Sequence, residues 1–308
     1  MTATSAPTRP RSSAQSGARI GVQIPWRLIA TYALAIFFAC YLLAPFLWIV
    51  LTSFMTEADA LSVPPQWIPA HPTLDNYAGF FNPTVEQRLQ GSRAVEETPR
   101  GLLNSMIVAF STALLNLCLA TLAAYSFARI RFRGSQVLLM LYLVSRMVPG
   151  VVIIIPFFLV LRTLGLLDSY LGLILSYTTF TLPFTIWILK DYFRTIPRDL
   201  EDAARVDRCN WLQMIWRVFL PISAPGLVAA GVFAFMTAWN EFLFALFLTN
   251  TIRSKTIPLI VANFANDLDV RFTFMAAAGV LAVIPPLVLA LIFQRLIVQG
   301  LAAGSVKG

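Results

Sequence analysis

Residues Ile196 to Gly226 read IPRDLEDAARVDRCNWLQMIWRVFLPISAPG, and this polar stretch between two apolar ones decides the fold. It is too long for a simple turn and carries helix signals. Pro197 can open a helix at its first position, and Asp199, Glu201 and Asp202 load the first turns with the negative charge that a helix dipole favours. Ala203, Ala204 and Val206 then supply small or apolar contacts. A second amphipathic stretch follows, with Leu212, Ile215, Trp216 and Phe219 at spacings of three and four, ending at Pro221. The spacing predicts a short helix, a turn and a second helix lying along a membrane surface, a compact knob suited to a groove on a partner.

Working outward, six apolar stretches approach the roughly 20 residues a bilayer core requires. They run at about Leu28–Leu51, Leu102–Tyr125, Val137–Leu161, Tyr170–Leu189, Leu227–Leu248 and Phe274–Ile297. Pro45, Pro149, Pro156, Pro183, Pro285 and Pro286 fall inside them, which a helix bundle tolerates when neighbours satisfy the freed carbonyls. Basic residues set the orientation. Arg9, Arg11, Arg19 and Arg27 precede the first stretch; Arg129, Arg131 and Arg133 follow the second. Lys190, Arg194, Arg198, Arg205, Arg208 and Arg217 follow the fourth, and Arg295 and Lys307 end the chain. All fall on one side. Opposite them, Glu86, Glu96 and Glu97 offset Arg88, Arg93 and Arg100. Both termini are therefore expected in the cytoplasm. Residues 1–25 read as a flexible cytoplasmic tail and residues 26–308 as one transmembrane domain carrying the 196–226 loop. The proline-punctuated segment from Met55 to Gly101 is either a polar connector or a docking surface for an external partner.

Composition agrees. The chain has 308 residues, 58% of them apolar and only 12% charged, and its mean hydropathy is +0.73. Soluble domains carry about a quarter charged residues, so this chain needs lipid to cover its surface. The net charge of +8 is dispersed rather than gathered into a patch for nucleic acid. Cys40, Cys118 and Cys209 are far apart with no CxxC pair, which argues against a disulfide framework, and His71 is the single histidine, which excludes a His-rich metal site. No phosphate-binding GxxxxGK[ST] loop occurs, so ATP hydrolysis is not expected in this chain.

The loop resembles the coupling loop of binding-protein-dependent ABC importer permeases, whose pattern is Glu-Ala-Ala, three residues, Gly, nine residues, Ile, any residue, Leu-Pro. Here Asp202, Ala203 and Ala204 take the first three places. Asp207 and Arg208 fall on an acidic residue and the glycine, Val218 on the isoleucine, and Leu220 and Pro221 on the Leu-Pro. Two residues depart from the pattern. Asp202 shortens the first side chain, and Arg208 replaces the glycine that permits a tight bend, so either the bend differs or strain is tolerated. Three further segments resemble the carbohydrate branch, in particular the second permease subunit of maltose-type importers: Ala123 to Gly134, Trp239 to Phe242, and Gln294 to Gly308.

The resemblance implies an all-α membrane protein of the type I importer class (MetI-like), with six transmembrane helices and cytoplasmic coupling helices between the fourth and fifth. It implies a multi-pass protein of the bacterial inner membrane and a sugar or polyol as cargo. The partners implied are a homologous second permease, two ATP-binding subunits and an extracytoplasmic solute-binding protein. ATP and magnesium would sit on the ATPase, and no metal or cofactor on this chain. The contacts implied for the ATPase are Asp202, Ala203, Ala204, Asp207 and Arg208, with Leu220 and Pro221 completing the motif.

Polar groups inside spans are expensive and so are candidate path residues. Asn240 and Glu241 are one pair; the alternative is a local structural pair or an interfacial position. Arg146 can face a cavity, pair with Glu241, or stabilise a helix end. Ser105, Asn116 and Thr237 read as helix-packing residues. Trp26, Trp48, Trp67 and Trp187 fit an interfacial belt, whereas Trp239, beside Asn240, is a candidate for stacking on a sugar. An integral-membrane enzyme is the rival class, but the sequence has no GxSxG elbow and no paired acids within spans. A self-contained secondary transporter would show an internal repeat with broken helices and would not need the knob.

Overall fold

A computed structural model of the chain describes residues 26–82, 93–130, 132–266 and 270–305, without the side chains of 266 and 300–305. The expectations for residues 1–25 and for Glu86, Arg88, Arg131 and Lys307 lie outside the described residues. The described residues form helices and connecting segments, with no strand among them.

The chain divides into two units, Met1–Leu47 and Trp48–Gly308. The first contains most of the Trp26–Ser53 helix, apolar on every face and carrying Pro45 in its interior. In the second, long apolar helices run over Arg93–Arg129, Tyr170–Thr195 and Phe272–Ser305. With Trp26–Ser53 these make four helices long and apolar enough to cross a membrane. Among the described residues two bent pairs, Ser135–Met147 with Gly150–Thr163 and Trp211–Ile222 with Ala224–Trp239, raise the possible number of spans to six.

The third stretch, expected as one span over Val137–Leu161, is instead two helices. Ser135–Ser145 and Gly150–Thr163 meet at 99°. Pro149 has no N–H to offer the Ser145 carbonyl, and its ring disfavours helical backbone at Val148, so the helix stops where that bond would have formed. The fifth stretch is also interrupted. Ala224–Trp239 ends at Asn240, and a short helix, Leu243–Leu248, starts afresh. The second stretch extends the other way, beginning at Arg93. Its 37 residues span about 55 Å, more than the hydrocarbon thickness. Glu96, Glu97 and Arg100 therefore stand on helix rather than in a loop, and Glu97 pairs with Lys255 at 3.0 Å.

Small residues let the helices approach, as membrane packing favours. Ala109, Ala113, Ala120 and Ala124 are buried on Arg93–Arg129, and Ala229, Ala230, Ala234 and Ala238 on Ala224–Trp239. Asn116 ties the Arg93–Arg129 helix to Tyr170–Thr195, donating to Thr181 Oγ1 at 2.6 Å, and Ser105 accepts from the Ile257 N–H at 2.7 Å. Both agree with their reading as packing residues.

Carboxylates close the ends that the sequence places outside. Glu57 accepts from the Phe272 and Thr273 N–H groups and from Thr273 Oγ1, capping the last long helix. Asp168, in the turn before Tyr170, accepts from the N–H groups of Asn250 and Thr251 and from the Thr251 and Ser254 hydroxyls. Partial burial pushes its carboxyl up, but those donors outweigh it and hold the pKa at about 2.

Candidate functional site

The loop at Ile196–Gly226 folds as a knob of two helical segments. The first, Arg198–Val206, starts one residue later than the sequence suggests, with Pro197 just ahead of it in extended conformation. After Asp207 the chain turns at Arg208, whose φ is +57°. The bend is thus made at the motif's glycine position, and the arginine adopts the left-handed backbone that glycine takes without cost. Asn210 restarts the helix through a reciprocal capping box with Gln213. The segment then runs Trp211–Met214, a π-helical turn over Ile215–Phe219, and Leu220–Ile222. Pro221 lies within this segment rather than ending it. Lacking an N–H, it cannot bond the Arg217 carbonyl, and the adjoining π turn accommodates the loss; the Leu220 N–H reaches back five residues to Ile215.

The knob is fastened to the bundle by a buried ion pair. Glu201 faces Arg129, at the end of the Arg93–Arg129 helix, at 3.4 Å, with both side chains less than a tenth exposed. Arg129 also donates to the Ile196 carbonyl at 2.6 Å, and Arg205 reaches Glu201 from the solvent side. Ala204 is buried among Tyr125, Phe193, Ile196 and Phe219. Asp202, Ala203, Val206, Asp207 and Arg208 are exposed, with Val206 82% accessible. The two alanines of the motif therefore differ: Ala204 packs inward and Ala203 faces out. Leu220 is half-buried against the same cluster, and Pro221 is exposed. Sequence reading counted Glu201 only as a first-turn charge and Arg129 only as a topology signal. Their pairing across 72 positions of chain has no local signature.

A second feature lies where the two interrupted helices meet. A cavity of about 230 Å³ is bordered by Arg146 and Val148 at one break and by Glu241 and Leu243 at the other, with Tyr177, Thr181 and Thr237 contributing hydroxyls. Glu241 is engaged by backbone: its carboxylate accepts from Phe244 N–H at 2.9 Å and from Ala245 N–H at 3.2 Å, opening the Leu243–Leu248 helix. Arg146 is exposed, and its guanidinium lies 5.8 and 5.9 Å from the ring centres of Phe184 and Phe233. The cavity thus contains both groups, although among the described residues no ion pair joins them. The Tyr177 hydroxyl is buried near Glu241 and Thr256 and makes no hydrogen bond of good geometry to either. Tyr177 and Thr181 escaped the sequence reading. The signal available was the hydroxyl-rich run Ser176-Tyr177-Thr178-Thr179-Phe180-Thr181.

The other candidates lie beside the cavity. Asn240 is exposed and donates to the Met236 carbonyl of its own helix, and Thr237 bonds the Phe233 carbonyl. Trp239 is 2% exposed, stacks on Phe235, and donates its indole N–H to the Ala282 carbonyl at 3.1 Å. Among the described residues, no group of three or more His, Cys, Asp or Glu side chains could hold a metal ion.

Comparison with known proteins agrees with this architecture. The family model described as "Binding-protein-dependent transport system inner membrane component" matches residues 104–303. The chain is 36% identical over 266 residues to the sulfoquinovosyl glycerol transport system permease protein SmoH of Agrobacterium fabrum, covering 86% of this chain and 89% of that one. It is 37% identical over 270 residues to the trehalose transport system permease protein SugB of Mycobacterium tuberculosis, covering 87% and 93%. It is 33% identical over 276 residues to the trehalose/maltose transport system permease protein MalG of Thermococcus litoralis, covering 89% and 95%. In fold it is similar to a chain of a bacterial ABC transporter that imports the acidic polysaccharide alginate, with a TM-score of 0.73, 22% identity, and coverage of 88% and 95%. With this all-helical, MetI-like architecture, the chain belongs to the family of inner-membrane permease components of binding-protein-dependent ABC importers.

Proposed function

We propose that this permease forms half of a translocation path for a sugar or polyol, paired with a homologous second permease and driven by two ATP-binding subunits. The observation that carries this reading is the knob: two short helices bent at Arg208, held to the bundle by Glu201 and Arg129, and presenting Asp202, Ala203, Val206 and Asp207 outward. On this reading the chain crosses the inner membrane six times, its third and fifth crossings are bent or interrupted, and both termini are cytoplasmic. A solute-binding protein delivers cargo from outside. ATP and magnesium act on the partner, and this chain binds no cofactor. Closure of the ATPase pair moves the knobs of both permeases and turns the path outward; hydrolysis resets it. The ATPase can bias the two states only through contacts that differ between them, and on this reading Arg208, Asp207, Asp202 and Ala203, all exposed, make them.

Relatives named for trehalose and maltose support carbohydrate as the cargo class. Arg146 and Glu241 are the path candidates that border the cavity, Asn240 precedes Glu241 in the chain without lining it, and Tyr177 brings an unsatisfied hydroxyl that a solute hydroxyl would satisfy. Trp239 serves this path indirectly, by holding the neighbouring helix in register.

The test is isolation of the tagged chain in mild detergent with mass spectrometry of what accompanies it. Recovery of a second permease and an ATPase is the expected result. A chain that emerges alone, stable and transport-competent, would overturn the reading in favour of a self-contained transporter.

A further inference from the structure

At the end of the bundle where the knob is attached lies a larger, open cavity of about 850 Å³, and its polar lining is almost entirely arginine. Arg129 and Arg133 stand on one side of it, at the end of one long helix and just before the Ser135–Ser145 helix. Arg194 and Arg198 stand on the other, where the Tyr170–Thr195 helix passes into the knob. Arg129 is committed to Glu201 and the Ile196 carbonyl. Arg133, Arg194 and Arg198 are exposed, and among the described residues none has a carboxylate within ion-pair distance. Three like charges around one cavity repel one another, and nothing in the lining offsets them.

Apart from Ser135 and Thr195, the remaining walls are apolar. Ile130 is 53% and Phe132 39% exposed. The helix that begins at Ser135, on the cavity rim, continues with Val137, Leu138 and Leu141 exposed, a surface suited to hydrocarbon. A guanidinium cluster at the foot of an apolar helix face matches one kind of ligand: a phosphate carried on acyl chains. Arginine forks bind phosphate oxygens in pairs, and basic pockets between spans on the cytoplasmic side accept anionic headgroups.

We infer that this arginine cavity is a binding site for an anionic phospholipid of the inner leaflet, its headgroup held by Arg133, Arg194 and Arg198 and its chains lying along the Ser135–Ser145 helix. The inference rests on the proposed orientation, which puts this end of the bundle at the cytoplasmic surface. Because Arg194 and Arg198 flank the start of the knob, a lipid held there would brace it against the bundle.

The test is native mass spectrometry of the purified full chain, titrated with phosphatidylglycerol or phosphatidylcholine. A parallel labelling experiment places a cysteine at Thr195 (T195C) and asks which face of the membrane reaches it. Phosphatidylglycerol is expected to occupy the unaltered chain roughly tenfold more readily than phosphatidylcholine. R133Q/R194Q/R198Q is expected to abolish that preference, while R253Q/R271Q, remote from the cavity, keeps it. Equal occupancy by both lipids, or a preference untouched by the triple variant, would overturn the site. Displacement of the lipid by glycerol phosphate at equal concentration would assign it to a soluble phosphate compound instead. Loss of ATPase co-purification from the triple variant with its lipid preference intact would make the patch a protein dock. Labelling of T195C from the outer face would overturn the orientation alone, and lipid retention, measured without partners, is read independently of the importer assignment.

Discussion

The Trp239 indole N–H donates to the carbonyl of Ala282, the very group that Pro286 leaves without its helical donor. An interior proline removes the bond its N–H would make four residues back, and in a membrane that orphaned carbonyl has no water to turn to. A side chain from the neighbouring helix supplies the missing donor and so fixes the register of the two helices. Trp239→Phe keeps most of the packing and deletes the bond. It is expected to lower the stability of the solubilised chain by about 1 kcal/mol, read as a lower thermal midpoint, with solute KM unchanged. A shift in KM without loss of stability would return Trp239 to the path itself.

Arg208→Gly removes the cost of a left-handed backbone at a residue with a side chain. The gain is expected at about 1 kcal/mol, with assembly intact, measured by thermal unfolding and by ATPase co-purification. If the variant is more stable but releases the ATPase, the arginine is retained for a contact that outweighs its strain.

Glu201→Gln leaves the Arg129 charge buried against a neutral partner. Breaking a buried pair from one side typically costs about 3 kcal/mol. The knob is expected to loosen from the bundle, giving protease cleavage near Ile196 and ATP hydrolysis uncoupled from uptake. Cleavage resistance equal to the unaltered chain would show that packing alone holds the knob.

Ala203 and Ala204 separate docking from packing. Ala203→Glu should leave folding intact and weaken the ATPase, because that position is exposed. Ala204→Glu forces a carboxylate among Phe193, Phe219 and Ile196 and should lower the yield of folded chain. Equal behaviour of the two variants would contradict the orientation of the first knob helix.

Asp168 gives a pH signature at the end of the bundle proposed to face outward. Its carboxyl titrates at about 2 when folded and near 3.9 when unfolded, so its contribution is complete above about pH 4 and is lost as the pH falls toward 2. Asp168→Asn should therefore be less stable than the unaltered chain at pH 6, with the difference shrinking as the pH drops through that window. A difference constant from pH 6 to pH 2.5 would remove the carboxylate from the account.

The legible parts of this molecule were those encoded over a few adjacent residues. The knob could be read because capping residues, small residues and amphipathic spacing are local, and four of the six apolar stretches announced helices long enough for a bilayer, whereas the third and fifth are broken. The prolines needed more than composition. Pro45, Pro156, Pro183, Pro285 and Pro286 do sit inside helices, whereas Pro149, followed by Gly150, ends one; a proline–glycine doublet is the turn signal that separates the cases. The sequence could not disclose that Trp239 meets Ala282, that Glu201 meets Arg129, or that Glu57 caps a helix 215 positions away. Those partners are chosen by packing between distant segments. The cavity belongs with them, since its walls come from two helix breaks brought face to face.

The π turn over Ile215–Phe219 gives the knob a mechanical property that an unbroken α-helix would lack. A π turn holds one residue more than the α turn it replaces, and such an insertion can migrate along a helix by exchanging hydrogen-bond partners one at a time. Each step would rotate the intervening residue by about 100° and advance it by about 1.5 Å. Pro221 limits that travel at one end, because it has no hydrogen to exchange, and the Asn210–Gln213 capping box limits it at the other. Between those two stops the turn can re-aim the residues it passes in small, bounded steps, a change of register confined to the knob itself.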